Sequence, residues 1–296
     1  MGNILTKQFY RQRKDFEDSC AGRDAGLTFP EGVRYSTDIA YADDGIKAHM
    51  LDIYRPEDSQ EKILPVIINV HGGGLIIGNK EFNRYFCALL CKKGFLVYSI
   101  EYRLIPDCLM YDQISDVYMA MDYIKERLAA DGGDSSHVYM AGDSGGACLI
   151  TYANAIQNST NIARAANVTP SGLRINALGL ISGMFYTSRF DKIGLFLPKY
   201  LYGRDYKKTS FAKYVNPENR ELLNSLAPVW LVTSHNDFLR RYTTDFEKAL
   251  TTAEREHELV AFPKNKKLTH AFSVFEPFLP ESSEVIDMMV EYFRKF

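Results

Sequence analysis

The sequence predicts an α/β fold: a mostly parallel central sheet, covered by helices on both faces, with a helical cap. Three observations carry this. Short β-branched runs alternate with longer helical patterns along most of the chain. The central runs, such as Ile67-Ile68-Asn69-Val70, are apolar without strict alternation, as in strands buried on both faces. Two glycine-rich turns sit at the ends of such runs, where open α/β sheets place their sites.

Taken in order, residues 1–32 read as an N-terminal cap element, with a helical pattern over Lys7 to Asp18 followed by Gly26, Pro30 and Gly32. Arg34 to Tyr41 and Ala48 to Tyr54 flank the turn signal Asp43-Asp44-Gly45 and predict an antiparallel edge hairpin. Six further strands are predicted at Val66–Val70, Leu96–Ile100, His137–Met140, Ala177–Ile181, Val229–Thr233 and Leu259–Phe262. Helices are predicted at Glu81–Lys93, Gln113–Ala130, Gly146–Asn158, Arg240–Arg255 and Ser283–Arg294. One main domain over 33–296 is expected, with 1–32 and 184–225 as cap elements. The 184–225 stretch breaks the alternation and holds nine aromatics in 42 residues, against 13% for the chain. It is expected to form an apolar, aromatic lid that excludes water from a site beneath it; the alternative, for any single ring, is that it packs the cap onto the body.

That site is predicted from Gly142-Asp143-Ser144-Gly145-Gly146, which follows the strand-like His137 to Ala141. Gly-x-Ser-x-Gly between strand and helix is a nucleophile elbow, a turn so tight that the residues two before and two after the serine must be small. Ser144 is therefore the candidate nucleophile, with Gly142 and Gly146 making room for it. Upstream, the Ile67–Val70 strand runs into His71-Gly72-Gly73-Gly74. A tetrahedral acyl intermediate needs backbone N–H donors aimed at its oxyanion, and glycines let the backbone approach.

A base and an orienting acid are also required, and with this elbow they follow the serine in the chain. His235, His257 and His270 remain. His257 lies in the charged stretch Glu254 to Glu258 and is expected to be solvated at a helix end. His270 follows the last strand and the loop Pro263 to Thr269, so it is the candidate base. The strand-like run Pro228 to Ser234 ends in His235-Asn236-Asp237, and Asp237 is the candidate acid, a position that also suits a helix N-cap. His235, which precedes the acid, reads as its neighbour.

These residues resemble the hormone-sensitive lipase family of α/β-hydrolase esterases, which includes bacterial acetyl esterases and arylacetamide deacetylases. The likeness runs from about Val33 to the C-terminus. Besides the two glycine motifs, Tyr102-Arg103-Leu104-Ile105-Pro106-Asp107 is similar to the family's Tyr-Arg-Leu-Ala-Pro-Glu. Asp237-Phe238-Leu239-Arg240 is similar to its Asp-Pro-Leu-Arg, and His270-Ala271-Phe272 to its His-Gly-Phe. The resemblance implies an oxyanion hole of the Gly73, Gly74 and Gly145 N–H groups, supported by His71, Gly72 and Asp143. It implies an α/β-hydrolase fold and a serine hydrolase cleaving esters of small or medium acyl chains. An amidase, deacetylase or peptidase using the same triad is the alternative, and so is a non-catalytic ligand binder on the same scaffold. Four features depart from the family pattern. Gly145 replaces the usual alanine, expected to give a looser oxyanion donor. Leu75 stands where an aromatic often follows the glycines, Phe238 replaces a proline, and the Lys264–Lys267 loop is longer and basic, so that the base is expected to be less firmly placed.

Composition is that of an ordinary globular chain, 46% apolar and 24% charged. A net charge of −2 gives no general attraction to nucleic acid or to an anionic membrane. No stretch is apolar enough to span a bilayer, so no membrane insertion is expected. The start, Met1 to Thr6, fits a myristoylation template that is short and frequent by chance. Five cysteines (20, 87, 91, 108 and 148) show neither metal nor redox spacing and suggest packed thiols in a reducing cytoplasmic setting. No metal or organic cofactor is implied. The expected partner is a small-molecule ester, with a homodimer as a possible assembly.

Overall fold

A computed structural model describes residues 2–59 and 62–296. Met1 of the myristoylation template lies outside the described residues. The chain begins with helix α1 (Gly2–Asp24), longer at both ends than its sequence pattern suggests. The edge hairpin follows, β1 (Val33–Ala40) and β2 (Met50–Pro56). Its connection is not a tight turn at Asp43–Gly45 but a longer loop, in which Asp44 accepts from the Ile46 N–H and contacts His49. Strand and helix then alternate: β3 (Leu64–Val70), α2 (Arg84–Lys92), β4 (Leu96–Ile100), α3 (Met110–Arg127), β5 (Gly133–Asp143), α4 (Ser144–Asn158), α5 (Thr160–Ala166) and β6 (Ala177–Ile181). Three short helices, α6 (Lys192–Phe196), α7 (Pro198–Tyr202) and α8 (Arg220–Asn224), interrupt the rhythm. The chain ends with β7 (Val229–Ser234), α9 (Arg240–Thr252), β8 (His257–Phe262), α10 (Phe272–Phe275) and α11 (Pro280–Phe293).

The eight strands form one sheet in the order β1-β2-β4-β3-β5-β6-β7-β8. The β1–β2 and β2–β4 pairs are antiparallel and the others parallel. The β4, β6 and β7 strands are buried at every position, whereas edge strand β1 is exposed over most of its length. That difference explains the continuous apolar runs of the central strands. Side chains of α3, α4 and α9 pack one face of the sheet; α2 and α11 pack the other. Gly94, at φ +93°, follows α2 and turns the chain into β4, a conformation that favours glycine. Pro280 opens α11, where a missing N–H costs nothing.

This topology brings four strand ends to one rim. The glycine loop leaves β3, Ser144 follows β5, Asp237 follows β7 and His270 follows β8.

Candidate active site

Ser144 is the first residue of α4 and sits at φ +50°, a backbone state that costs a non-glycine residue energy. The neighbouring glycines show why the turn can form. A Cβ on Gly146 would lie 2.1 Å from the Val70 carbonyl oxygen, and one on Gly142 would meet the backbone of Gly146 and Ala147 at 2.9–3.0 Å. The strained turn lifts the hydroxyl off the sheet rim, and the α4 N-terminus faces it with its positive dipole end.

Across the rim, His270 Nε2 stands 2.9 Å from Ser144 Oγ, and His270 Nδ1 stands 2.7 Å from Asp237 Oδ1. Three side chains separated by 126 and 33 residues thus form one hydrogen-bonded line. The Asp237 carboxylate is fully buried. It accepts from Thr233 Oγ1 at 2.9 Å and from the Leu239 N–H at 2.8 Å. Asp237 is not the N-cap of α9, a position that Leu239 holds without a side-chain bond; its carboxylate accepts from the turn that leads into the helix. Burial pushes the Asp237 carboxyl up, but the hydrogen bond and charge of His270, with the Leu239 N–H and the Ser182 hydroxyl, outweigh it and hold the group below the usual aspartate value.

His270 is not loosely placed, despite the basic loop before it. Ser234 Oγ donates to the Leu268 carbonyl at 2.5 Å, and the Ala271 N–H donates to Ser182 Oγ at 3.1 Å. Ala271 is at φ +48°, a position where the family's glycine would be unstrained. Phe238, in the place of the family's proline, lays its ring 4.3 Å from the His270 ring.

The glycine loop is equally constrained. Gly73 and Gly74 have φ of +104° and +62°, and Leu75, unusually for a branched side chain, is at +68°. A Cβ on Gly145 would lie 2.9 Å from the Gly74 nitrogen and 2.8 Å from that of Leu75. The loop therefore packs directly on the start of α4, bringing the Gly74 and Gly145 amides together beside Ser144. In this chain a side chain at 145 would press on the backbone of Gly74 and Leu75. Among the described residues no acceptor pairs with the Gly73 or Gly74 N–H.

Beneath the loop, Asp143 Oδ1 accepts from the Gly72 N–H and from Asn83 Nδ2, each at 3.0 Å. Burial raises its carboxyl, offset in part by Asn83, His71, His270 and Gly72. His71 stacks on Tyr102 with ring centroids 4.4 Å apart. Its Nδ1 faces the Gly72 carbonyl at 2.8 Å and its Nε2 faces Glu101 Oε1 at 2.9 Å. Acceptors at both ring nitrogens favour the doubly protonated ring. Burial works against that charge, but Glu101 and the Gly72 carbonyl override it and raise the pKa.

A cavity of about 540 Å³ opens on Ser144 and His270. Its walls are Ile76, Ile77, Met184, Ile193, Leu197 and Phe238, closed at one end by Gln12, Asp15 and Phe16 of α1 and by Phe275. The aromatic lid expected from 184–225 is a correction: none of its nine rings lines this cavity. The stretch contributes Met184, Ile193 and Leu197 instead. Its rings pack the cap onto the body: Phe185 stacks on Phe246 at 4.2 Å, and Phe211 lies within 5.2–6.1 Å of Tyr111, Tyr152, Tyr202 and Tyr214. Phe190 is 95% exposed. A larger cleft of about 800 Å³ lies at the β1 edge, far from Ser144, lined by residues such as Arg34, Arg55 and Arg127.

The other histidines stand apart. His235 is exposed and contacts Arg240 at 3.1 Å. His257 is not at a solvated helix end but opens β8, half-buried beside Arg255 and Thr251. Sequence reasoning missed Phe238, Phe275 and the α1 residues as cavity walls, since nothing local marks them. Glu101, Ser182 and Thr233 were discoverable as polar residues at strand ends.

Fold and site geometry together define an α/β-hydrolase with a serine–histidine–aspartate line at the rim of its sheet. A family model described as alpha/beta hydrolase fold matches residues 67–273, and the chain belongs to that family, in its hormone-sensitive lipase-like branch. Among curated proteins it is similar to a "Probable isoprenylcysteine alpha-carbonyl methylesterase" of Oryza sativa subsp. japonica, 29% identical over 184 residues, covering 58% of this chain and 44% of that protein. It is also similar to esterase LipQ of Mycobacterium tuberculosis, 32% identical over 120 residues, covering 40% of this chain and 28% of that one. The chain thus spans less than half the length of these relatives. Of solved structures, esterase B from Lactobacillus rhamnosis superposes with a TM-score of 0.92 over 100% of this chain and 96% of that one, at 22% identity. At that identity the likeness speaks for the fold alone.

Proposed function

We propose that the protein is a carboxylesterase that cleaves esters of small or medium acyl chains through an acyl-enzyme. The observation that carries this is the unbroken line from Ser144 Oγ through His270 to Asp237, at 2.9 and 2.7 Å, opening on an apolar cavity. His270 takes the Ser144 proton as the oxygen attacks the ester carbonyl. Asp237 holds the imidazole with its proton on Nδ1 and stabilises the imidazolium that forms. The N–H groups of Gly73, Gly74 and Gly145 receive the oxyanion. The imidazolium then protonates the leaving alcohol, and the same base activates a water that releases the acid and frees Ser144. His71 and Asp143 keep the glycine loop against α4 without touching the reacting atoms.

Labelling with a fluorophosphonate probe tests this, with intact mass and peptide mapping as readout. The expected result is one adduct on Ser144, formed more slowly when p-nitrophenyl butyrate is present as a competing substrate. A folded protein that neither labels nor hydrolyses acyl esters overturns the reading and leaves the scaffold as a ligand binder.

A further inference from the structure

The body-facing stripe of α1 runs through Phe9, Arg13, Phe16 and Cys20, at helical spacing. Three of these four are apolar packing residues. The fourth is a guanidinium, and its side chain is only 19% exposed. Arg13 Nε donates to the Ile76 carbonyl at 2.8 Å, and Nη2 donates to the Leu104 and Ile105 carbonyls at 3.0 and 2.7 Å. Its Nη1 pairs with Asp107 Oδ2 at 2.7 Å, and the other oxygen of that carboxylate accepts from Tyr10. One side chain therefore ties α1 both to the extension of the glycine loop and to the 104–107 segment.

This tie lies beside the cavity. Ile76 lines one wall, while Gln12, Asp15 and Phe16, within three residues of Arg13, line another. The two walls are anchored differently. The glycine loop holds itself: the Ile76 and Ile77 N–H groups donate to Gly73 O, and Leu75 O accepts from the Ile105 N–H and Gln113 Nε2. The far end of α1 is held separately by Arg23 on the Phe82 carbonyl and Arg84 on Asp24. Between those ends, Phe9 packs on Tyr200 and Phe16 on Phe82, and Arg13, with the Tyr10 hydroxyl on Asp107, supplies directed bonds to the 104–107 segment, Arg13 alone reaching the Ile76 carbonyl as well. Removing Arg13 would loosen the helical wall, taking away its bonds to the Ile76, Leu104 and Ile105 carbonyls, and leave the glycine loop in place.

We propose that Arg13 is a specificity-setting positioning residue, which holds the α1 wall at the distance that favours longer apolar chains of the ester over acetyl. This rests on the esterase reading of the site. Gln12, Asp15 and Phe16 of α1 line the same cavity as Ser144, so on this proposal an acyl chain long enough to fill the cavity meets α1, and acetyl leaves it largely untouched.

The test compares p-nitrophenyl acetate with p-nitrophenyl octanoate on the full chain, for the native protein, Arg13→Ala, Arg13→Lys and the solvent-face control Lys14→Ala. Arg13→Ala is expected to raise KM for the octanoate about tenfold, with kcat within about twofold and both constants for the acetate unchanged. Arg13→Lys should fall between, since one ammonium cannot fork to several carbonyls. Lys14→Ala should match the native protein. Hydrogen exchange should quicken in α1 of Arg13→Ala and not in the glycine loop. An unchanged octanoate-to-acetate ratio overturns the proposal, and so does an equal fall in kcat for both esters. If Arg13→Ala does not fold, Arg13→Lys decides alone: a native chain-length profile overturns the proposal. A native protein that hydrolyses neither ester and fails to label sinks the esterase reading instead, while the exchange comparison still reads the tether.

Discussion

The floor of the site and its cover are built on opposite principles. The floor, made by the loops after β3 and β5, is set by steric exclusion. Glycines at 72, 73, 142, 145 and 146 stand where a Cβ would collide with a neighbour at 2.0–3.0 Å, and Ser144 is held in a strained turn between two of them. The cover, made by α1 and residues 184–225, is set by side-chain packing and by the half-buried guanidinium of Arg13. A floor of that kind tolerates almost no change and moves little. A cover of that kind can be altered one side chain at a time, so the proposed roles, chemistry at the floor and selectivity at the cover, can be tested separately.

The sharpest break of the comparison is at the floor. Ser144→Ala should lower kcat on p-nitrophenyl butyrate on the order of a million-fold with the melting temperature retained or raised, since alanine removes the nucleophile and leaves the elbow. Full activity in that variant would end the acyl-enzyme mechanism. Asp237→Asn should cost about ten-thousand-fold in kcat, because the amide favours the wrong imidazole tautomer; single-turnover kinetics would reveal it as slowed acylation. Gly145→Ala, a change to the family's usual residue, should here cost about a hundred-fold in kcat. Its methyl must displace the Gly74 and Leu75 amides, which would disturb the proposed oxyanion hole without touching the triad. An unchanged kcat would show that the loop yields easily and that the floor is not sterically set.

At the cover, Phe211→Leu should lower stability by about 1 kcal/mol in a denaturant titration and leave the chain-length profile as it was, because this ring packs on four others and not on the cavity. A shifted profile would return the cap aromatics to the role of a lid. The smallest effect concerns pH. Asp237 is held below the ordinary aspartate value, so its ionised pairing adds stability above that value and loses it as pH falls through the lower folded one. The melting-temperature gap between the native protein and Asp237→Asn should therefore stay constant near neutrality and narrow only below about pH 4.

The same contrast explains what was legible beforehand. Strand-end motifs announce themselves because sheet topology permits few residue types there. His71 to Gly74, the elbow, Asp237 and His270 were all readable, and so was the alternation that predicts the sheet. The aromatic cap was readable as unusual composition but not as function. Which way Phe185 or Phe211 turns depends on Phe246 and on Tyr111, Tyr152, Tyr202 and Tyr214, residues 3 to 100 positions away in the chain. Phe238 was noted only as a missing proline, yet its ring lies against His270.

By itself, then, the sequence determined the layered α/β architecture, the strained serine and the identities of its two partners, because backbone sterics and burial act locally and leave marks at fixed spacing. The tertiary structure alone decided the 2.9 and 2.7 Å approaches that join those three groups, the close fit of Gly145 under Gly74, and the use of α1 as a cavity wall held by Arg13. Those depend on distances between segments far apart in the chain, which only the packed core sets.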